Sequence, residues 1–177
     1  KSTIMKGYIA HNSAIEGKRP GILVVHEWWG HDEFAREKAD ELAEMGYVAL
    51  AVDMYGQGKQ AEHPNEAMEF SSRLMKNFDT AEQRFIAAMD TLKADENVDA
   101  TKISAIGFCF GGSVALSMAN SGLDLDAVAV FHSGLGLPVM PSENLKAKLL
   151  IQNGAEDNMI TDEQEKEFKS QLDKVNA

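Results

Sequence analysis

The chain has 177 residues, of which 44% are hydrophobic and 25% are charged, a balance typical of a single globular domain with a buried core. Its formal net charge of -11 argues against nucleic acid as a partner and against an anionic membrane surface, because both require a basic face. Apolar runs such as GILVV are far shorter than the roughly 20 residues that span a bilayer.

Six short apolar runs predict β-strands, and they alternate with segments of helical period. The strand candidates are IMKGYIA, GILVVH, YVALAVD, KISAIGF, DAVAVFH and AKLLIQNG. Apolar residues that recur every three or four positions predict helices, as in Ala35, Ala39 and Leu42, in Ala81, Phe85 and Met89, and in Phe168, Leu172 and Val175. Strands that are apolar throughout indicate an α/β fold, a mostly parallel sheet with helices on both faces, in one domain spanning 1–177.

Local patterns predict two helix starts and one long loop. The pairs Asp79 with Glu82 and Thr161 with Gln164 have the spacing of capping boxes. The polar segment 56–64 follows a strand end, and we expect it to overhang a site.

A single cysteine excludes an internal disulfide and a metal site built from several cysteines. The sequence predicts neither a metal nor a cofactor, and it leaves the oligomeric state open. We expect a cytoplasmic protein by default, or a periplasmic or secreted one if a signal segment has been removed.

The segment GFCFGG places Cys109 between the strand KISAIGF and a helix that begins near Gly111. G-x-C-x-G is the cysteine version of the nucleophile elbow, a strained turn that lifts the nucleophile above the sheet. We expect Gly107 and Gly111 to pack against each other, and Gly112 to let the helix approach the sheet. Free N–H groups at the helix start are expected to lower the thiol pKa. Taken alone, the motif also fits a buried structural cysteine.

Four stretches in order resemble the dienelactone hydrolase family of the α/β-hydrolases: RPGILVVHEWWG, REKADELAEMGYVALAVDMYG, GFCFGG and IQNGAED. The resemblance implies an α/β-hydrolase fold and hydrolysis of a small ester or lactone through an acyl-enzyme. It implies Cys109 as the nucleophile, Asp157 as the acid that orients a histidine, and Glu27 as the partner of the resting cysteine. It also implies that the backbone N–H groups of Phe110 and Trp28 form the oxyanion hole.

Each of these assignments has a structural alternative. Asp157 could be a turn aspartate, with Glu156 beside it as the competing acid. Glu27 could cap or form a salt bridge at a strand end. Trp28 and Trp29 could be packing residues, walls of the substrate pocket, or both.

The family order places the catalytic histidine after the acid, but no histidine follows Asp157 in this sequence. One interpretation is that the chain is cut before the last strand and helix of the fold, which would leave a sheet edge unpaired at KLLIQ. The other is that His132, at the end of DAVAVF, substitutes for the missing residue. His132 could equally be an ordinary loop histidine, and His26 is expected to turn away from the pocket or to border it.

The leading functional hypothesis is a cysteine-dependent ester or lactone hydrolase. The alternatives are a thiol redox or sensor protein, a non-catalytic ligand-binding module and a cysteine amidotransferase. The lack of a second, resolving cysteine weighs against the sensor. Substrate identity stays open, because Arg73 is the only arginine between Gln57 and Phe78 and cannot be matched to a carboxylate-binding role.

Overall fold

The computed structural model describes residues 3–175, in which strands and helices alternate along the chain. The strands are β1 (Tyr8–His11), β2 (Arg19–Val25), β3 (Val48–Val52), β4 (Val98–Phe108), β5 (Ala127–Phe131) and β6 (Lys148–Gln152). The helices are α1 (Glu33–Glu44), α2 (Pro64–Lys76), α3 (Phe78–Lys93), α4 (Phe110–Asn120) and α5 (Asp162–Lys174). All six predicted strands are present, although the first is shorter than the apolar run that predicted it.

The strands form one sheet in the order β1-β3-β2-β4-β5-β6. Only β1 is antiparallel to its neighbour, β3. The chain order reverses at β2, which lies between β3 and β4, so the crevice outside the carboxyl ends of β2 and β4 is the topological switch point. Ligands of open α/β sheets bind at such crevices. Within residues 3–175, β6 ends the sheet and pairs with β5 alone.

Helices cover both faces of the sheet, as the sequence predicts. The buried side chains of the cluster under α1 are small: Ala10, Val24, Ala35, Ala39, Ala43, Ala49 and Ala51. The larger cluster on the opposite face includes side chains from α2 to α5: Leu74, Phe85, Val114, Leu116 and Phe168. In β2, Leu23 and Val25 belong to the larger cluster and Val24 to the smaller one, because successive side chains of a strand point to opposite faces.

The predicted helix starts agree with the structure at α5 and differ at α3. The Thr161 hydroxyl accepts from the Gln164 N–H, and the Gln164 side chain accepts from the Thr161 N–H, which completes the capping box. The capping box predicted for Asp79 and Glu82 is wrong, because α3 already begins at Phe78. Asp79 instead lies in the first turn, where its negative charge still favours the helix dipole.

Candidate active site

Cys109 occupies the turn between β4 and α4, at the switch point of the sheet. Its backbone has a φ of 52° and a ψ of -116°, a region that side chains other than glycine rarely adopt. Hydrogen bonds hold this conformation: the Cys109 N–H donates to the Phe131 carbonyl at 2.9 Å, and its own carbonyl accepts from the N–H groups of Gly112 and Ser113. The surrounding fold therefore imposes a strained turn on the single cysteine of the chain.

Three glycines make this turn sterically feasible. A Cβ added to Gly107 would lie 2.4 Å from the Gly111 carbonyl oxygen, and one added to Gly111 would lie 2.3 Å from the Val25 carbonyl oxygen. At Gly112 the added carbon would lie 1.6 Å from Oγ of Ser133. The predicted close packing of Gly107 against Gly111, and the approach of the helix to the sheet at Gly112, are confirmed.

A cleft of about 290 Å³ opens at the elbow. Apolar side chains form much of its wall: Trp28, Met75, Phe110, Met159 and Ile160. Polar groups from three elements complete it: Ser71, Ser72, Ser113, Cys109 and His132. A thiol and an imidazole that line the same cleft are groups suited to nucleophilic chemistry.

His132 and Asp157 are in direct contact at the edge of this cleft. The Nδ1 atom of His132 is hydrogen-bonded to Oδ2 of Asp157, and the two side chains are 47% and 10% exposed. Asp157 also accepts from the Met159 N–H at 2.9 Å through Oδ1, so it is a turn residue and a histidine partner at once. The Met159 N–H, followed by His132, lowers the Asp157 pKa, which keeps the carboxylate ionised.

The two tryptophans of HEWWG differ in their position. Trp28 lines the cleft, whereas Trp29 packs edge-on against Trp28 with ring centroids 5.3 Å apart and is not part of the cleft wall. Trp29 therefore packs against a residue of the cleft wall, and a pocket role for it stays a prediction. His26 does not border the cleft either, because its side chain is fully buried.

The Cys109 thiol has a raised pKa. Burial is the main cause, and the negative charges of Glu27 and Asp157 add to it, whereas the Phe110 N–H lowers the pKa by hydrogen bonding. The N–H donor at the helix start lowers the thiol pKa, as expected, but burial and two carboxylates outweigh it, so the net pKa is raised. Glu27 itself has a pKa raised by burial and by Asp32. The resting enzyme therefore holds a protonated thiol.

Replacing Glu27 by Gln should shift alkylation of Cys109 to lower pH. A neutral amide removes one of the charges that oppose thiolate formation, so the thiol pKa falls and more thiolate is present at a given pH. The measurement is the rate of reaction with iodoacetamide between pH 7 and 10, with Glu16→Gln, an exposed position, as the charge-matched control. An unchanged profile in Glu27→Gln would show that its charge does not reach the thiol.

The polar loop that follows β3 does not border the cleft at Cys109. The loop at Gly56, Gln57 and Lys59 borders a second cavity together with Arg73 and Arg84, and that cavity does not include Cys109. Loop 56–64, which was expected to overhang a site, borders this second cavity, whereas α2 contributes to the wall of the cleft at Cys109. Ser71, Ser72 and Met75 of α2 were missed by sequence reasoning, although Ser71 and Met75 have the one-turn spacing of a shared helix face.

Residues 3–175 contain no group of three or more His, Cys, Asp or Glu side chains that could hold a metal ion. In the same part of the chain, no helix is both long and apolar enough to cross a membrane.

A strained turn between strand and helix at the switch point of a mostly parallel sheet is the architecture of an α/β-hydrolase. A model of the dienelactone hydrolase family matches residues 5–177. The chain belongs to the dienelactone hydrolase family, which confirms the resemblance carried by the four sequence stretches and identifies the protein as a hydrolase.

Individual relatives agree with this assignment. Protein usf of Aquifex pyrophilus is 30% identical over 165 residues, which cover 90% of this chain and 70% of the relative. A putative carboxymethylenebutenolidase of Aquifex aeolicus is 28% identical with the same coverage. The crystal structure of a dienelactone hydrolase-like promiscuous phosphotriesterase from metagenomic libraries has a TM-score of 0.91 and 30% identity, covering 99% of this chain and 74% of that one.

Proposed function

We propose that the chain hydrolyses small esters or lactones through an acyl-enzyme formed on Cys109. The observation that carries this proposal is the strained elbow, because it places a thiol in a cleft that is also lined by His132, the hydrogen-bond partner of Asp157. Strain of this kind persists only where the surrounding structure imposes it, and it concentrates at functional sites. A buried structural cysteine would gain nothing from a positive φ.

The proposed reaction has two steps. The Cys109 sulfur loses its proton and attacks the carbonyl carbon, the backbone N–H groups of Phe110 and Trp28 bind the oxyanion, and the alcohol leaves with a proton. Water then attacks the thioester by the same route, releasing the acid and restoring the thiol. Within residues 3–175, His132 is the histidine that Asp157 contacts, so we assign to it the transfer of these protons.

Glu27 has a separate proposed role in the resting enzyme. Its charge opposes ionisation of Cys109, so the thiol stays protonated until a substrate enters. A protonated thiol reacts slowly with oxidants and alkylating agents, because the thiolate is the reactive form. Glu27 would therefore protect the nucleophile between turnovers.

The cleft favours an uncharged acyl group. Its walls include the apolar side chains of Met75, Met159 and Ile160. The two carboxylates whose charge reaches the thiol, Glu27 and Asp157, would repel an anionic substrate placed against the sulfur. We therefore propose a short neutral ester or lactone as the substrate class.

The test is to trap the acyl-enzyme. Wild type mixed with p-nitrophenyl acetate and quenched with acid should carry one acetyl group on the peptide that contains Cys109, measured by mass spectrometry. Cys109→Ala should show neither the adduct nor turnover above the uncatalysed rate. Turnover that persists in Cys109→Ala would overturn the proposal, and reversible oxidation of Cys109 without any turnover would favour the redox alternative.

A further inference from the structure

Two buried side chains hold the backbone of the segment that follows β2. The Nδ1–H group of His26 donates to the Glu27 carbonyl at 2.5 Å. The Tyr55 hydroxyl donates to the Trp28 carbonyl at 2.8 Å. The two carbonyls belong to the peptide units on either side of Trp28, so the orientation of both units is fixed from within the core.

The hydrogen bonds of His26 define which of its nitrogens carries the proton. Its Nε2 atom accepts from the Met54 N–H at 3.2 Å, so Nε2 is unprotonated and Nδ1 carries the hydrogen. The ring is fully buried and stacks on Phe110, with centroids 5.8 Å apart. Burial lowers the His26 pKa to about 4, so the imidazole is neutral at neutral pH. It is a fixed donor to the Glu27 carbonyl.

The hydrogen bond from His26 to the Glu27 carbonyl also sets the direction of the Trp28 N–H, because both groups belong to one planar peptide unit. The C=O and N–H of a trans peptide point in opposite directions, and the described residues contain no cis peptide bond. Because the Glu27 carbonyl points to His26 in the core, the Trp28 N–H of the same peptide points away from it, on the side where Trp28 lines the cleft. Within residues 3–175, this N–H has no hydrogen-bond acceptor.

We propose that His26 and Tyr55 are positioning residues of the oxyanion hole: they hold the two carbonyls around Trp28 so that its N–H faces the cleft. The inference rests on the proposed function, because an oxyanion forms only if Cys109 attacks a carbonyl. Neither side chain touches the substrate. They act by fixing a backbone donor in advance, so that no reorganisation is needed when charge develops on the substrate oxygen.

The variants His26→Asn and His26→Leu test the role of the Nδ1 donor. Asn and Leu have the same branched shape, and both lose the acceptor for the Met54 N–H, but only Asn can place an N–H group where Nδ1 stands. Losing an oxyanion donor costs about 10²–10³-fold in kcat, and misorienting one should cost about 10–100-fold. We expect His26→Leu to show this loss in kcat with little change in KM, and His26→Asn to recover most of it.

The alkylation rate of Cys109 distinguishes a loss of oxyanion-hole positioning from general damage to the fold. Reaction of Cys109 with iodoacetamide forms no oxyanion, so its rate should be the same in wild type, His26→Asn and His26→Leu. His11→Gln replaces an exposed histidine of β1 and controls for the loss of a histidine as such; it should leave hydrolysis unchanged. Equal kcat values in the Asn and Leu variants, or alkylation that slows in parallel with hydrolysis, would overturn the inference.

Tyr55→Phe provides a second test that does not depend on replacing a fully buried histidine. It removes only the hydroxyl that holds the Trp28 carbonyl, and we expect kcat to fall about 10-fold while the alkylation rate is kept. Unchanged kcat in Tyr55→Phe would exclude its positioning role. If wild type itself shows no Cys109-dependent turnover, the proposed function fails; if wild type turns over and these variants match it, only the inference fails.

Discussion

Asp157→Asn is expected to lower kcat for ester hydrolysis by about 10²–10⁴-fold, as loss of the orienting carboxylate does in established catalytic triads. The amide can still accept from the Met159 N–H, so the turn is kept, but it no longer carries the charge that stabilises a protonated imidazole on His132. The measurement is steady-state hydrolysis of p-nitrophenyl acetate, with thermal unfolding to show that the fold is intact.

His132→Gln should cause a loss of similar size, and the double variant should be little worse than either single one. Residues that act as one unit in catalysis have effects that do not add, because removing any member already disables the unit. Glu156→Gln is the matched control: Glu156 is exposed, adjacent in sequence and the competing acid. We expect it to keep wild-type activity.

The outcome of this pair of variants also identifies the base. Impairment in Asp157→Asn together with wild-type activity in His132→Gln would contradict the assignment of proton transfer to His132 and show that Asp157 orients a different group. A reduced kcat in Glu156→Gln would instead show that Glu156 is the acid. Activity in all three variants would exclude a carboxylate–imidazole mechanism.

The fold could be predicted from sequence because its signals are local and repeated. Each strand of the sheet is a short apolar run, and each long helix has an apolar residue at every turn, so the α/β class follows from periodicity alone. The turn at Cys109 could also be predicted from sequence, because Gly107 and Gly111 flank Cys109 at the spacing that the turn requires. The start of α3 was missed, since Asp79 and Glu82 fit a capping box whose helix would begin two residues after the observed start.

The site was less predictable, because it depends on contacts between distant parts of the chain. The contact of His132 with Asp157 joins residues 25 positions apart, and no local pattern encodes it. His26 was expected to turn away from the pocket or to border it, but the two hydrogen bonds that it makes inside the core could not be predicted from sequence. The net sign of the Cys109 pKa shift depends on burial, which sequence does not give at a turn.

Gly107→Ala is expected to destabilise the protein by about 3 kcal/mol, the upper range for overpacking a tightly packed position. The added Cβ would lie 2.4 Å from the Gly111 carbonyl oxygen and 2.7 Å from the Gly112 Cα atom. Both are backbone atoms, which cannot rotate away as a side chain does, so either β4 or the start of α4 must shift. For a domain of this size the loss corresponds to a decrease of about 6–12 °C in Tm.

Gly136→Ala is the control for this prediction, because its added Cβ would meet only the Gln164 side-chain nitrogen at 3.7 Å, an ordinary contact. It should leave Tm nearly unchanged, whereas Gly107→Ala should also lose hydrolysis, since a shifted α4 moves the thiol and the Phe110 N–H together. Wild-type Tm and activity in Gly107→Ala would mean that the turn relaxes without cost. In that case, backbone strain at Cys109 would no longer support a nucleophilic role, because a turn that accommodates an extra carbon is not one that the fold rigidly imposes.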